Sequence, residues 1–386
     1  MIIKNGMIHD GCGRAYAADI RIKDGLIAAI GKGLKDDGEQ AVDAQGRDIL
    51  PGFIDPVSHW GINGNGTEIR PMGDDNDEKS DPIVPNMNVV YAFNGRAVTL
   101  QQLYAYGITA IGVAPTNNEV MGGRMGVFEV EGTNPLKMVI REDAGLKASV
   151  TKQVKKTFAA RGAAPQTDMK IFQMLSEQLR LAKEYDPKDK KVKRDEKLAS
   201  VKAVIDGRMP LFVACDSASD IQHVIAITKP YRGIKLVLVN GGGVGAADTY
   251  LIGKDKALIV CFNECDADPD TYGTDYDGLA ALAGQGLKIG LAAVSSGFGG
   301  REDLLWNAMD MVKAMGDPEK VLPMLTANNA DILGVGDRLG RIAVGLRADL
   351  VVWSANPLTT FKAQVETTYI KGRQVYRKGD AMRCYL

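Results

Sequence analysis

The chain has 386 residues, of which 45% are hydrophobic and 25% charged, and its formal net charge at pH 7 is −1. This length is ample for a large core, and the charge lacks the basic surplus typical of nucleic-acid binding. The five scattered cysteines argue against a disulfide framework and favour a reducing compartment. The sequence does not open like a signal peptide, and no apolar run reaches the roughly 18 residues of a membrane span. We therefore expect a cytoplasmic protein that binds neither nucleic acid nor membranes.

The two ends of the chain are both predicted to form short β-strands. Asp24-Gly25, which lies between two apolar runs, is a strong signal for a two-residue hairpin. The β-prone runs are Met1–Ile3, Asp19–Lys23, Leu26–Ile30, Arg347–Trp353 and Val365–Tyr376. Each end alone offers too few strands for independent stability. We therefore predict one small β-sandwich domain built from both termini, residues 1–52 plus 340–386.

Between these ends, predicted strands alternate with predicted helices. The strands are Ile49–Asp55, Thr109–Ala114, Leu211–Cys215, Lys235–Val239, Leu258–Phe262 and Lys288–Val294, with the third and fourth placed only within 127–150. The clearest helices are Leu100–Tyr106, Ile171–Glu184 and Ile221–Thr228. Such alternation predicts a parallel sheet with right-handed crossovers. The fold class is therefore α/β, with a (β/α)8 TIM barrel over residues 53–339.

The segment Ile49 to His59 is the most informative stretch of the sequence. Its apolar run is broken by Pro51-Gly52 and ends in a small polar cluster, which predicts a buried strand whose carboxyl end is open to ligand. This segment resembles the "PGFID-x-His-x-His" motif of the amidohydrolase superfamily. Tyr106–Ala110 and Thr326–Gly334 are similar to further motifs of its imidazolonepropionase-like subgroup. The resemblance implies the same barrel and, in the family, hydrolysis by a metal-activated water.

The resemblance also implies where metal ligands would stand. The family uses two His after strand 1, one His each after strands 5 and 6, and an Asp after strand 8. In this chain the strand 1 positions hold Val57 and His59, and strand 5 offers Ala214 and Asp216. The strand 6 position holds Asn240, and the strand 8 position holds Val294 or Ser295. Ala148–Thr151 stands where the subgroup has its motif after strand 4. We therefore expect no bound metal or other cofactor.

Four polar residues are predicted to remain at the barrel mouth as a remnant site: His59, Asp216, Asn240 and Ser295. The carboxyl ends of parallel strands meet at one edge, so these side chains are expected to converge. His9 and His223 are expected to be surface or packing residues. A rebuilt zinc site is the alternative, since thiolates and carboxylates also bind zinc. Its candidate ligands are Cys215, Asp216, Cys261, Glu264 and Cys265.

Three functional hypotheses follow from the resemblance and its departures. The first is a non-catalytic structural or regulatory subunit, in an oligomer with an active amidohydrolase homologue. The second is a divergent hydrolase of C–N bonds in cyclic amides or peptide-like substrates, using His59, Asp216 and Glu264. The third is a module that binds a small molecule in the vestigial pocket.

Overall fold

A computed structural model describes residues 1–63, 75–97, 99–189, 191–240, 256–260, 274–293 and 301–380. Val294, Ser295, Cys261, Glu264 and Cys265 therefore lie outside the described residues. The strands of the described part are β1 (Ile2–His9), β2 (Ala15–Lys23), β3 (Leu26–Gly31), β4 (Ala41–Asp43), β5 (Asp48–Pro51), β6 (Phe53–Ser58), β7 (Ile108–Val113), β8 (Met121–Glu129), β9 (Val139–Ser149), β10 (Leu211–Cys215), β11 (Leu236–Asn240), β12 (Ala257–Val260), β13 (Lys288–Leu291), β14 (Leu350–Trp353), β15 (Val365–Ile370) and β16 (Arg373–Arg377).

The helices of the described part all lie between β6 and β14. They are α1 (Leu100–Leu103), α2 (Pro135–Met138), α3 (Lys152–Ala159), α4 (Asp168–Glu184), α5 (Glu196–Ile205), α6 (Ala218–Thr228), α7 (Tyr276–Gly284), α8 (Asp303–Met315), α9 (Pro318–Leu325) and α10 (Ala327–Ile332). Two 3₁₀ turns, Val89–Tyr91 and Tyr104–Tyr106, accompany them. No helix in the described part of the chain is long and apolar enough to span a bilayer.

The terminal strands form one sheet in the order β16-β15-β14-β5-β1-β2-β3, with β4 paired to β1. β14 runs antiparallel to β5, and Val351 faces Leu50. Strands from both ends of the chain therefore share one hydrogen-bonded surface. Asp24 and Gly25 both have positive φ, 52° and 79°, and they join β2 to β3 as the sequence predicted. The sandwich and its domain bounds stay predictions.

The predicted strand Ile49–Asp55 is wrong as a single element. The chain breaks at Gly52, so β5 belongs to the terminal sheet and β6 to the second sheet. A Cβ at Gly52 would lie 2.0 Å from the Thr109 Oγ1, so only glycine fits where the chain crosses between the sheets. Pro51 and Gly52 therefore mark the point where the chain passes from one sheet to the other. Because both strands are apolar, the sequence pattern does not show this boundary.

The second sheet runs in the order β13-β12-β11-β10-β9-β8-β7-β6. The expectation of an entirely parallel sheet is wrong at β8, which is antiparallel to both β7 and β9. Only residues 114–120 connect β7 to β8, and a parallel crossover needs about a dozen residues or more. A short connection therefore forces the chain to turn back on itself.

Side chains connect the first and last strands of the second sheet. The Asn329 Nδ2 donates to the carbonyl oxygens of Ile54 in β6, at 2.8 Å, and of Leu291 in β13, at 2.9 Å. The Ala293 backbone N–H donates to Asp55 Oδ1 at 3.2 Å. In the described part of the chain no backbone ladder joins β6 to β13. The closed (β/α)8 barrel therefore stays a prediction, while these contacts hold the two ends of the sheet together.

His9 connects the terminal sheet to the helical part of the molecule. Its ring is buried, with Nε2 2.7 Å from the Asp48 Oδ1 and Nδ1 2.6 Å from the Glu319 Oε1. Burial alone would lower the pKa of His9, but the two carboxylates outweigh it and raise the pKa to about 9. His9 is thus a buried, charged bridge between β5 and α9, whereas His223 is exposed on α6.

Candidate functional site

His59 lies just after β6, where the sequence placed the first part of the site. Its ring is buried, and Nδ1–H donates to the Ala114 carbonyl oxygen at 2.7 Å. Since a carbonyl can only accept, this contact fixes a proton on Nδ1 and leaves Nε2 as the basic nitrogen of the neutral ring. His59 is therefore tied to the end of β7.

Val57 and Ala214 stand where the resemblance implied two metal ligands. Both side chains are buried and belong to one apolar cluster, together with Ala110 and Val239. Neither side chain carries a donor atom. This part of the sheet interior is therefore built as hydrophobic core and supplies no ligands.

Asp216 follows β10 and is held by the beginning of two helices. Its Oδ2 accepts the Lys152 backbone N–H at 2.6 Å, while the neighbouring Ser217 and Asp220 form a capping box at the start of α6. The Asp216 Oδ1 is buried and has no hydrogen-bond partner among the described residues. The His59 Nδ1 thus contacts the end of β7, whereas the Asp216 Oδ2 contacts the start of α3. The predicted convergence of the two therefore stays a prediction.

The other two predicted site residues can be placed only in part. Asn240 is the last residue of β11 and pairs in register with Cys215 and Val260. Its backbone thus lies at the strand end where the sequence expected it. Ser295 lies outside the described residues.

Lys147 is a candidate site residue that the sequence reasoning missed. It is fully buried in β9, and its Nζ donates to the Asn117 Oδ1 and, at 3.5 Å, to the Pro115 carbonyl oxygen. A lysine inside an apolar strand that is covered on both faces has no route to solvent. That pattern, Gly145-Leu-Lys-Ala-Ser149, was the available signal.

Glu119 is a second missed residue, in the loop between β7 and β8. Its side chain is 1% exposed, and Oε1 accepts the Glu78 backbone N–H at 2.6 Å. Burial raises the pKa of Glu119 to about 7, with Asp77 adding to the effect and Lys147 opposing it. Its Oε2 is buried and has no hydrogen-bond partner within the part of the chain that the structure describes. No sequence signal marks Glu119, because its hydrogen bond from the Glu78 backbone joins segments that are distant in sequence.

Asp55, in β6, is another buried acidic residue of the second sheet. It accepts the Trp60 Nε1–H at 3.0 Å as well as the Ala293 N–H at 3.2 Å. Burial raises the pKa of Asp55 to about 6, although both hydrogen bonds lower it. The aspartate of the "PGFID" motif is thus engaged in holding β6 against the end of β13.

The described residues do not fit a zinc centre of the implied kind. Among them, no group of three or more His, Cys, Asp or Glu side chains is arranged to hold a metal ion. The Val57 and Ala214 positions are apolar, and the His59 Nδ1 and Asp216 Oδ2 are already engaged. A structural zinc normally needs four ligands, and a catalytic one three plus water.

Comparison with known proteins finds similarity to amidohydrolases in both sequence and fold. Residues 252–375 match the Amidohydrolase family. The solved structure of an amidohydrolase from Thermotoga maritima MSB8 superposes with a TM-score of 0.87 and 25% identity, covering 98% of this chain and 100% of that one. These matches support membership of the amidohydrolase superfamily. The superfamily assignment agrees with the resemblance seen in the sequence.

Matches to individual superfamily enzymes are short. A dihydroorotase from Thermoanaerobacter sp. (strain X514) is 46% identical over 59 residues, which span 15% of this chain and 14% of that protein. An imidazolonepropionase from Bacillus cytotoxicus is 36% identical over 75 residues, or 18% of each chain. Such partial alignments leave activity and subgroup as matters for proposal.

Proposed function

We propose that this amidohydrolase-fold protein has lost the metal centre of its superfamily and acts as a non-catalytic structural or regulatory subunit. The observation that carries the proposal is the apolar cluster that contains both Val57 and Ala214. Without a metal, water has a pKa near 15.7 instead of about 7, which reduces the hydroxide available near neutral pH by about eight orders of magnitude. General acid–base catalysis typically offsets only about 10²–10⁴-fold. Hydrolysis at this site is therefore not expected.

An exposed apolar surface supports the assembly part of the proposal. The Trp306 and Phe361 side chains, 51% and 78% exposed, line one cavity with Tyr106, Leu305 and Met309. Aromatic side chains and Met are enriched in protein interfaces. We propose that this surface contacts an active amidohydrolase homologue.

The experiment for this proposal combines metal analysis with a repair variant. Protein purified without chelator is analysed for zinc, iron and manganese, and hydrolysis of dihydroorotate and hydantoin is measured with added metal. We expect substoichiometric metal and no turnover, both for the native chain and for Val57→His, because one added imidazole does not rebuild the whole ligand set. Stoichiometric metal together with turnover that His59→Ala abolishes would contradict the proposal.

One observation favours hydrolysis of C–N bonds as the second candidate. The Asp216 Oδ1 is buried without a described partner, and such an atom is costly unless a ligand or ion satisfies it. If the chain is a hydrolase, Asp216→Asn should abolish turnover, while Asp143→Asn on the exposed part of β9 should not. If the chain is non-catalytic, Asp216→Asn changes only stability or partner affinity, which denaturant unfolding and sedimentation measure.

A further inference from the structure

A cavity of about 310 Å³ lies beside the loop that carries Glu119. Residues 75–78, segment 84–92 and the start of β8 enclose it. Ile62, Val84, Val89 and Pro115 give it apolar walls. This volume is at the lower end of the range for small-molecule sites, so a ligand would be compact.

The charged side chains among the described residues that line this cavity are all acidic. They are Asp75, Asp77, Glu78 and Glu119, and neither Lys nor Arg is among the described lining residues. Asp77 is already engaged, because its Oδ2 accepts the Asn118 Nδ2–H and lies 3.1 Å from the Lys79 Nζ. The Glu78 Oε1 accepts the Ser80 backbone N–H at 3.1 Å. These two carboxylates therefore organise the loop.

Glu119 differs from Asp77 and Glu78 in having a buried oxygen for which the described residues supply no hydrogen-bond donor. Oε1 accepts the Glu78 N–H, whereas Oε2 has no hydrogen-bond partner among the described residues. A Cβ built on Gly122 would lie 3.5 Å from this Oε2, and Gly122 itself lines the cavity. Glu119 and Gly122 thus line the same cavity, and Oε2 lies close to the position that a side chain on residue 122 would take. A buried carboxylate oxygen without a partner is costly, and a bound donor would remove that cost.

We propose that this cavity binds a small organic cation, a primary ammonium group on a compact apolar body, with the ammonium donating to Glu119. A guanidinium group recognises carboxylate through two parallel hydrogen bonds, but the Glu119 Oε1 is already taken. A divalent metal such as Ca²⁺ needs six or more oxygens, which the described lining does not gather. The Glu119 Oε2, beside apolar cavity walls, can accept one hydrogen bond from an ammonium group.

The test uses cyclohexylammonium as the probe and cyclohexanol as its uncharged counterpart, both titrated calorimetrically into the full chain at pH 8. We expect the amine to bind at least about tenfold more weakly to Glu119→Gln than to the native chain, as for loss of a charged hydrogen bond. Cyclohexanol should bind both chains equally weakly. Glu142→Gln, on the exposed part of β9, should match the native chain.

A second variant keeps the test decisive if Glu119→Gln fails to fold. Gly122→Ala retains the carboxylate but places a methyl 3.5 Å from Oε2 and 3.1 Å from the Pro115 Cβ, so it should also weaken amine binding. Equal amine affinity in the native chain and either folded variant, or no amine binding by the native chain, would overturn the proposal. Amine binding is measured without turnover, so its failure leaves the non-catalytic proposal intact, and the reverse also holds.

Discussion

The buried bridge formed by His9 allows a quantitative prediction about stability and pH. Replacing His9 by Asn removes the cation between Asp48 and Glu319. The pKa of His9 rises from 6.5 to about 9 on folding, which corresponds to up to about 3 kcal/mol of stability. Because the folded pKa is the higher one, this contribution is complete below about pH 6.5 and is lost as the pH rises through about 9.

The assay for this prediction is urea unfolding of the native chain and His9→Asn at intervals from pH 6 to pH 9.5. The difference in unfolding free energy should be largest at pH 6 and should shrink by up to about 3 kcal/mol toward pH 9.5. His223→Asn, at an exposed histidine of α6, is the matched control and should show no such trend. A His9→Asn deficit that is constant across this pH range would refute the reasoning.

Two further predictions concern side chains that make hydrogen bonds to buried groups. Asn329→Leu leaves the carbonyl oxygens of Ile54 and Leu291 without their donor, so we expect about 2–5 kcal/mol of destabilisation in urea. A loss within measurement error would show that these carbonyls find other donors. Arg347→Met removes the guanidinium whose Nη2 lies 2.8 Å from Asp349 and 3.2 Å from Glu129. Asp349 then keeps only the Lys371 backbone N–H among these contacts, while Glu129 keeps the Lys371 ammonium. The expected loss at pH 7 is about 3–5 kcal/mol. It should be partly recovered at pH 5, because burial raises the pKa of Asp349 and loss of the guanidinium raises it further. Equal losses at both pH values would contradict that explanation.

The sequence predicted best those elements whose burial is continuous. Leu211–Cys215 has the predicted bounds because a central strand covered on both faces is an uninterrupted apolar run. The prediction from sequence was wrong at β5 and β6, where two apolar strands of different sheets follow each other directly. It was also wrong at β8, whose direction depends on the length of its connection to β7. Periodicity contains neither kind of information.

The site was less predictable than the fold. The motif located His59 and the strand ends of Asp216 and Asn240, because these positions follow recognisable apolar runs. Lys147 and Glu119 were missed, since their burial is created by segments distant in sequence. The pKa and hydrogen bonding of a polar residue depend on the segments that pack against it, and a single sequence does not show which segments these are.

The pairing of β5 with β14 has a consequence for how the protein is made. Pro51 faces Leu350 in this pair, so about 300 residues must be synthesised between the two partners. At roughly 5–20 residues per second, the ribosome needs about 15–60 s for that stretch. During this time β5 presents an unpaired edge, which other strands can join. A nascent chain stalled before residue 350 should therefore bind chaperones or aggregate more readily than the released protein.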